Sequence, residues 1–172
     1  MAYVKWTALA LVALVVAAFL HWSLPSRDIV RILGTEVARS DAEVSNQAGQ
    51  EVSRTRDIRF IKAATADGAP MVYRNEDTDW GWPPYFKFDT ANLAAEADNR
   101  ISTETEPRWT IVTHYGWRIT WLSTFPNAVS LSPAEGPDQT LIPWFNIVVL
   151  ALLAAAVFFI RRKALALLGL DD

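Results

Sequence analysis

Two stretches of the chain carry almost no polar side chain, and the segment between them is mixed and largely alternating. From Thr7 to Leu24 the sequence reads TALALVALVVAAFLHWSL, 18 residues without a formal charge, bracketed by Trp6 and Trp22. At about 1.5 Å per helical residue those tryptophans stand ~24 Å apart, which suits an aromatic belt at each face of a slightly thin bilayer. The second stretch, Leu141 to Ile160 (LIPWFNIVVLALLAAAVFFI), stops abruptly at Arg161-Arg162-Lys163. The pattern predicts transmembrane helices over 6–24 and 141–160. A cleaved signal peptide is the rival for the first, but Leu20 to Pro25 offers no small-x-small site for a signal peptidase.

The basic cluster Arg161, Arg162 and Lys163 sets the expected topology. Positive residues next to a span stay in the cytoplasm, so residues 161–172 are cytoplasmic and two passes put residues 1–5 there as well. Arg27 and Arg31 pull weakly the other way. Small residues recur at helical spacing on each anchor (Ala10, Ala13 and Ala17; Ala151 and Ala155), which predicts an antiparallel helix hairpin. His21 and Asn146 then fall at similar depth near the far-side interface, as an interhelical polar pair or as two side chains reaching interfacial water.

Between the anchors, residues 25–140 predict one mainly-β domain. Asp28 to Arg39 is rich in β-branched residues, with Gly34 as a bulge position. Ser40 to Arg54 is polar and predicts a long loop over 40–54. Thr55 to Thr65 and Met71 to Asn75 flank Asp67-Gly68, a hairpin signal. Asp89 or Thr90 can cap a short helix from Ala91 to about Arg100. From Trp109 to Trp121 the residues alternate, with Trp, Ile, Thr, Tyr, Trp, Ile and Trp on odd positions; this predicts a strand bent or broken at Gly116, its odd face buried. Val129 to Leu131 gives a last short strand. Three strands, a helix and two strands make an α+β fold and match the connectivity of a five-stranded barrel of the oligonucleotide/oligosaccharide-binding type; an unrelated α+β sandwich fits the same string.

Charge narrows the partners. Leu24 to Thr140 holds 12 basic and 17 acidic residues, a net of 12 − 17 = −5, which argues against nucleic acid. The chain has no cysteine, so disulfides, thiolate metal sites and cysteine nucleophiles are excluded. Asn75, Asp77 and Asp79 open like a calcium loop, yet Trp80 and Phe86 stand where an EF-hand needs Gly and Glu; a solvated acidic turn fits better than a looser cation site. His114 falls on the polar face of its strand, as a surface histidine would. No phosphate-binding glycine loop, nucleophile elbow or zinc-binding helix is present. The sequence therefore predicts no catalytic residue, no metal and no cofactor.

Five aromatic residues in nine positions, Trp80 to Phe88, exceed what one half-buried strand can bury. They form either the core or a contact surface, and Trp80, Trp82, Tyr85 and Phe86 are the candidate interaction residues. The runs TRDIRFI (55–61), YRNED (73–77), YFKFD (85–89), YGWRI (115–119) and FPNA (125–128) together resemble a family of uncharacterised alphaproteobacterial membrane proteins of this length, classed as a domain of unknown function. That resemblance implies a bacterial inner membrane with the domain in the periplasm, and no activity. The expected role is a non-enzymatic interaction or scaffold protein. Its partners would be the lipid bilayer and another membrane or envelope protein, or a second copy of the chain; a ligand- or cation-binding sensor is the alternative, and an enzyme of unknown type is the third.

Overall fold

A computed structural model describes residues 2–45, 51–103 and 105–167, with side chains outside 2 and 40–56. It divides into two units, 1–139 and 140–172. The second has one helix among its described residues, follows the barrel in the chain and is described by itself below.

The first unit opens with α1, Ala2–Ser23, whose side chains stay exposed along its apolar run. Leu24 still donates to Leu20 O at 2.8 Å, and Pro25 then ends the helix because it has no N–H to offer. After these two residues the chain enters β1, Ser26–Ser45. Four more strands follow: β2, Glu51–Ala64; β3, Pro70–Asn75; β4, Thr110–Tyr115; and β5, Asn127–Pro133. The helix α2, Thr90–Asn99, lies between β3 and β4.

The strands close into a barrel in the order β1-β2-β3-β5-β4, every pairing antiparallel except β3 with β5. This is the expected five-stranded connectivity, α+β in class, with an apolar helix before the barrel in the chain and another after it. The β2–β3 turn forms at Asp67-Gly68, as expected: Gly68 takes φ +84° and donates to Thr65 O at 3.0 Å, a conformation that glycine adopts without a Cβ clash.

Inside the barrel, Val30, Ile32, Ile61, Ala63, Tyr73, Val112, Ala128 and Leu131 form one cluster with Leu93 and Ala97 of α2. The helix closes one barrel end with that apolar pair. The following chain holds it there, since Ser102 N–H donates to Ile32 O at 2.8 Å.

Three expectations change. The stretch expected as a loop over 40–54 is largely strand: β1 runs through Ser45 and β2 begins at Glu51, paired from Gly34↔Lys62 to Ser45↔Glu51. Residues 46–50 lie outside the described residues. Beyond the reach of β3, this ribbon pairs β1 only with β2, so no core demands apolar alternation from it. The strand expected from Trp109 to Trp121 stops at Tyr115, and Gly116 (φ +90°) turns the chain into a loop with a single 3₁₀ turn, Thr120–Leu122. The face of β4 is also inverted. Thr110, Val112 and His114 point into the barrel, whereas Tyr115 packs outside it, against Trp22. A five-stranded barrel is too narrow for a row of tryptophans, so medium-sized side chains fill it and aromatic ones cover its outside.

The second unit contains α3, Trp144–Leu167, a continuous helix that carries the basic cluster within its last turns. Both α1 and α3 are long and apolar enough to cross a membrane, which agrees with a two-span membrane protein.

The core assignment predicts that Ile61→Ala lowers unfolding stability by about 2–5 kcal/mol, while Val37→Ala on the exposed ribbon stays within about 0.5 kcal/mol. Denaturant melts of the detergent-solubilised chain check both values.

Candidate functional site: an aromatic clasp at the end of the first helix

A helix that stops leaves its last carbonyls without intrahelical partners. At the end of α1 the barrel supplies them. Gly116 N–H donates to Trp22 O at 3.0 Å, and Tyr85 OH donates to Ser23 O at 2.7 Å. Ser23 Oγ donates back to Phe19 O at 2.8 Å and accepts from Trp82 Nε1 at 3.2 Å. Two loops thus hold one helix end, the first between β3 and α2 and the second between β4 and β5.

Ring contacts complete the clasp. Trp82 stacks on Phe19 with centroids 5.6 Å apart and planes 15° from parallel. Tyr85 stacks on Tyr115 at 5.0 Å, and Tyr115 meets Trp22 edge-on at 5.8 Å. Trp117 Nε1 donates to His21 Nδ1 at 2.8 Å. Gly116 is required at its position: its φ is +90°, and an added Cβ would touch Pro126 Cα at 3.6 Å and the Trp22 indole at 3.7 Å. Burial, with Tyr115 beside it, pushes the Tyr85 phenol well above its ordinary range.

The candidate interaction residues therefore divide. Trp82 and Tyr85 grip α1, although Trp82 keeps an exposed face. Trp80 and Phe86 form a separate exposed cluster with Phe88, the Trp80 ring lying 5.5 Å from Phe86 and 5.6 Å from Phe88. Trp80 is 82 % exposed. His21 belongs to the clasp through Trp117, while Asn146 lies in the other unit, near the start of α3. Arg161, Arg162 and Lys163 are exposed on α3.

A buried ammonium fixes the loop that carries this cluster. Lys87, flanked by exposed Phe86 and Phe88, turns inward and is 4 % exposed. Its Nζ donates to Asn75 Oδ1 at 2.6 Å and to Ala128 O at 2.8 Å, joining the loop to β3 and β5. Burial pushes its pKa from 10.5 down to about 8, against the opposing pull of Asp77, Asp89 and Glu76. The acidic turn serves the same joint. Asn75 Nδ2 donates to Thr90 O at 3.0 Å, and Asp77 Oδ1 accepts from Thr90 N at 3.0 Å, placing a carboxylate at the start of α2 where the helix dipole favours it. The side chain of Asp89 makes no cap bond. These oxygens serve Lys87 and α2, and among the described residues no group of three or more His, Cys, Asp or Glu side chains is arranged to hold a metal ion.

His114, expected at the surface, is buried. Its Nε2 donates to Asp28 Oδ2 at 3.0 Å, and Tyr73 OH donates to the same oxygen at 2.8 Å. Burial pushes the Asp28 pKa up, but the His114 hydrogen bond and charge, with the Tyr73 bond, bring it below the usual carboxylate value. A carboxylate that works as acid or base near neutrality needs the opposite shift, so this trio reads as a polar plug within the barrel.

Lys87 binds its proton less tightly in the folded chain than in the unfolded one. Between about pH 8 and 10.5 the unfolded state therefore carries more protons, and this group makes stability rise with pH. Lys87→Met, which strands Asn75 Oδ1 and Ala128 O, should cost about 1–3 kcal/mol near neutrality and abolish that rise. Thermal melts of both proteins across the window check it.

Comparison with known proteins yields no chemistry to add to this geometry. Residues 1–167 match the family model described as protein of unknown function (DUF1523). A Haemophilus influenzae protein described as uncharacterized is 38% identical over 154 residues, covering 82% of each chain. No solved structure matches the chain. The match takes in both apolar helices and the whole barrel between them, and the chain belongs to the DUF1523 family.

Proposed function

We propose that this protein is a non-enzymatic, membrane-anchored interaction protein of the bacterial inner membrane. Both ends lie in the cytoplasm, and the barrel works on the periplasmic side as a scaffold for a membrane or envelope partner. The apolar lengths of α1 and α3 support the two spans. The Arg161-Arg162-Lys163 cluster on α3 supports a cytoplasmic C-terminus, because basic residues beside a span resist translocation. The antiparallel pairing of the two anchors belongs to this proposal and is motivated by their small-residue faces.

The observation that carries the proposal is the clasp. Only Leu24 and Pro25 separate α1 from β1, and two loops bind the last turn of the helix through its own carbonyls. A domain that swung freely on its anchor would have no use for such a joint. A domain that must meet a partner at a set height above the bilayer would. The clasp thus favours a partner in or near the same membrane over one that diffuses freely.

A ligand-binding role is the second reading. A cleft of about 470 Å³ opens beside α2, lined by Arg100, Arg108 and Trp109 among others. Its arginines are already engaged, Arg100 with Glu96 at 2.9 Å and Arg108 with Glu106 at 3.5 Å, so the scaffold reading is preferred.

Reporter fusions and crosslinking test the proposal. Fusions at both termini should report the cytoplasm, and crosslinking in cells followed by mild-detergent purification should recover a reproducible partner or a second copy of the chain. A strictly monomeric species without a crosslinked partner would argue against the scaffold, and a periplasmic terminus would overturn the topology.

A further inference from the structure

We infer that the exposed cluster Trp80, Phe86 and Phe88 is seated in the lipid interface of the same bilayer that α1 crosses, so that the barrel rests on the membrane as well as hanging from it. The inference rests on the two-span reading above and deepens it by naming what this patch meets.

Level comes first. Ser23 ends α1, and Phe19 lies one helical turn deeper, about 6 Å back along the axis. Trp82 stacks on Phe19 while its Nε1 donates to Ser23 Oγ, so its indole lies alongside the last turn of the span. Trp117 bonds to His21 from the other loop, also below the last residue of α1. Side chains that pack on the last turn of a membrane helix share the depth of that turn. Trp22 sits in the same layer, where tryptophans are enriched because an apolar ring and a polar N–H suit the headgroup region.

Chemistry comes second. On the loop that carries Trp82, Trp80, Phe86 and Phe88 are 82 %, 53 % and 52 % exposed, and the Trp80 ring touches both phenylalanines to make one apolar surface. Lys87, between two of them, is turned inward onto Asn75 and Ala128. The one cation of the segment is thereby withdrawn and the rings are left outward. That arrangement fits insertion of apolar rings into the interface and does not fit electrostatic attachment to anionic headgroups.

The absence of cysteine makes a direct test available. Trp80→Cys and, independently, Phe86→Cys carry an environment-sensitive fluorophore in the full chain, reconstituted in phosphatidylethanolamine/phosphatidylglycerol nanodiscs. Val37→Cys on the exposed ribbon is the reference. The expected result is a blue-shifted emission at 80 and 86, with most of the intensity lost to lipids carrying a nitroxide near the headgroup, unchanged by high salt, and neither effect at 37. Labels at 80 and 86 that emit as in water overturn the inference. Blue-shifted labels that lipid nitroxides leave unquenched also overturn it, since a protein surface then covers the patch. Labelling of Val37→Cys by a membrane-impermeant thiol reagent in cells with a permeabilised outer membrane separates the two levels. Reaction with an unseated patch rejects the seat alone, whereas no reaction in an otherwise folded protein rejects the periplasmic placement beneath it.

Discussion

The two carbonyls at the end of α1 set the constraint on which the placement of the barrel depends. Trp22 O and Ser23 O face the end of an apolar helix, where an unmade hydrogen bond to a buried group costs about 1–3 kcal/mol. The chain satisfies them with groups from far along the sequence, Gly116 N–H and Tyr85 OH. Each bond is modest. Together they tie the helix to both sides of the barrel mouth, because Gly116 ends β4 and Tyr85 belongs to the connection after β3. With two residues between α1 and β1, little freedom remains for the helix to change its angle.

The rest of the first unit supports those two donors. Gly116 can turn its N–H onto Trp22 O because it adopts a φ of +90°, a conformation that other residues rarely take. Tyr85 is aimed by its stacking on Tyr115, which packs in turn on Trp22. The loop that holds Tyr85 is itself fixed by the buried Lys87 ammonium on Asn75 and Ala128, and by Thr78 Oγ1, which accepts from Lys87 N at 3.0 Å. At the opposite level of organisation, α2 closes the barrel with Leu93 and Ala97, so the strand ends that carry the clasp belong to a filled core.

Much of this architecture was legible in the sequence. The two apolar runs, Asp67-Gly68, the short helix after Asp89 and the interruption at Gly116 are local signals, and they gave the order of elements and hence the barrel. Three features were hidden for physical reasons. Alternation along β4 reveals its period but not which side is inside, and the narrow barrel reversed the choice between His114 and Tyr115. A ribbon paired only with itself needs no apolar face, so 40–54 read as loop. Lys87 sits between two aromatics like a solvated charge, and its partners Asn75 and Ala128 stand 12 and 41 residues away. The aromatic excess at 80–88 did signal a contact surface. The structure divides it into residues that hold α1 and residues left exposed beside it.

The rigidity of the joint is the claim from which the fixed working height follows, and a distance measurement tests it most directly. Spin labels on Leu9→Cys, in α1, and Leu33→Cys, on the barrel, report their separation by pulsed electron–electron resonance in nanodiscs. A rigid joint gives a single narrow distance distribution that broadens when Tyr85→Phe and Trp82→Ala remove the clasp. A distribution equally broad with the clasp intact would contradict it.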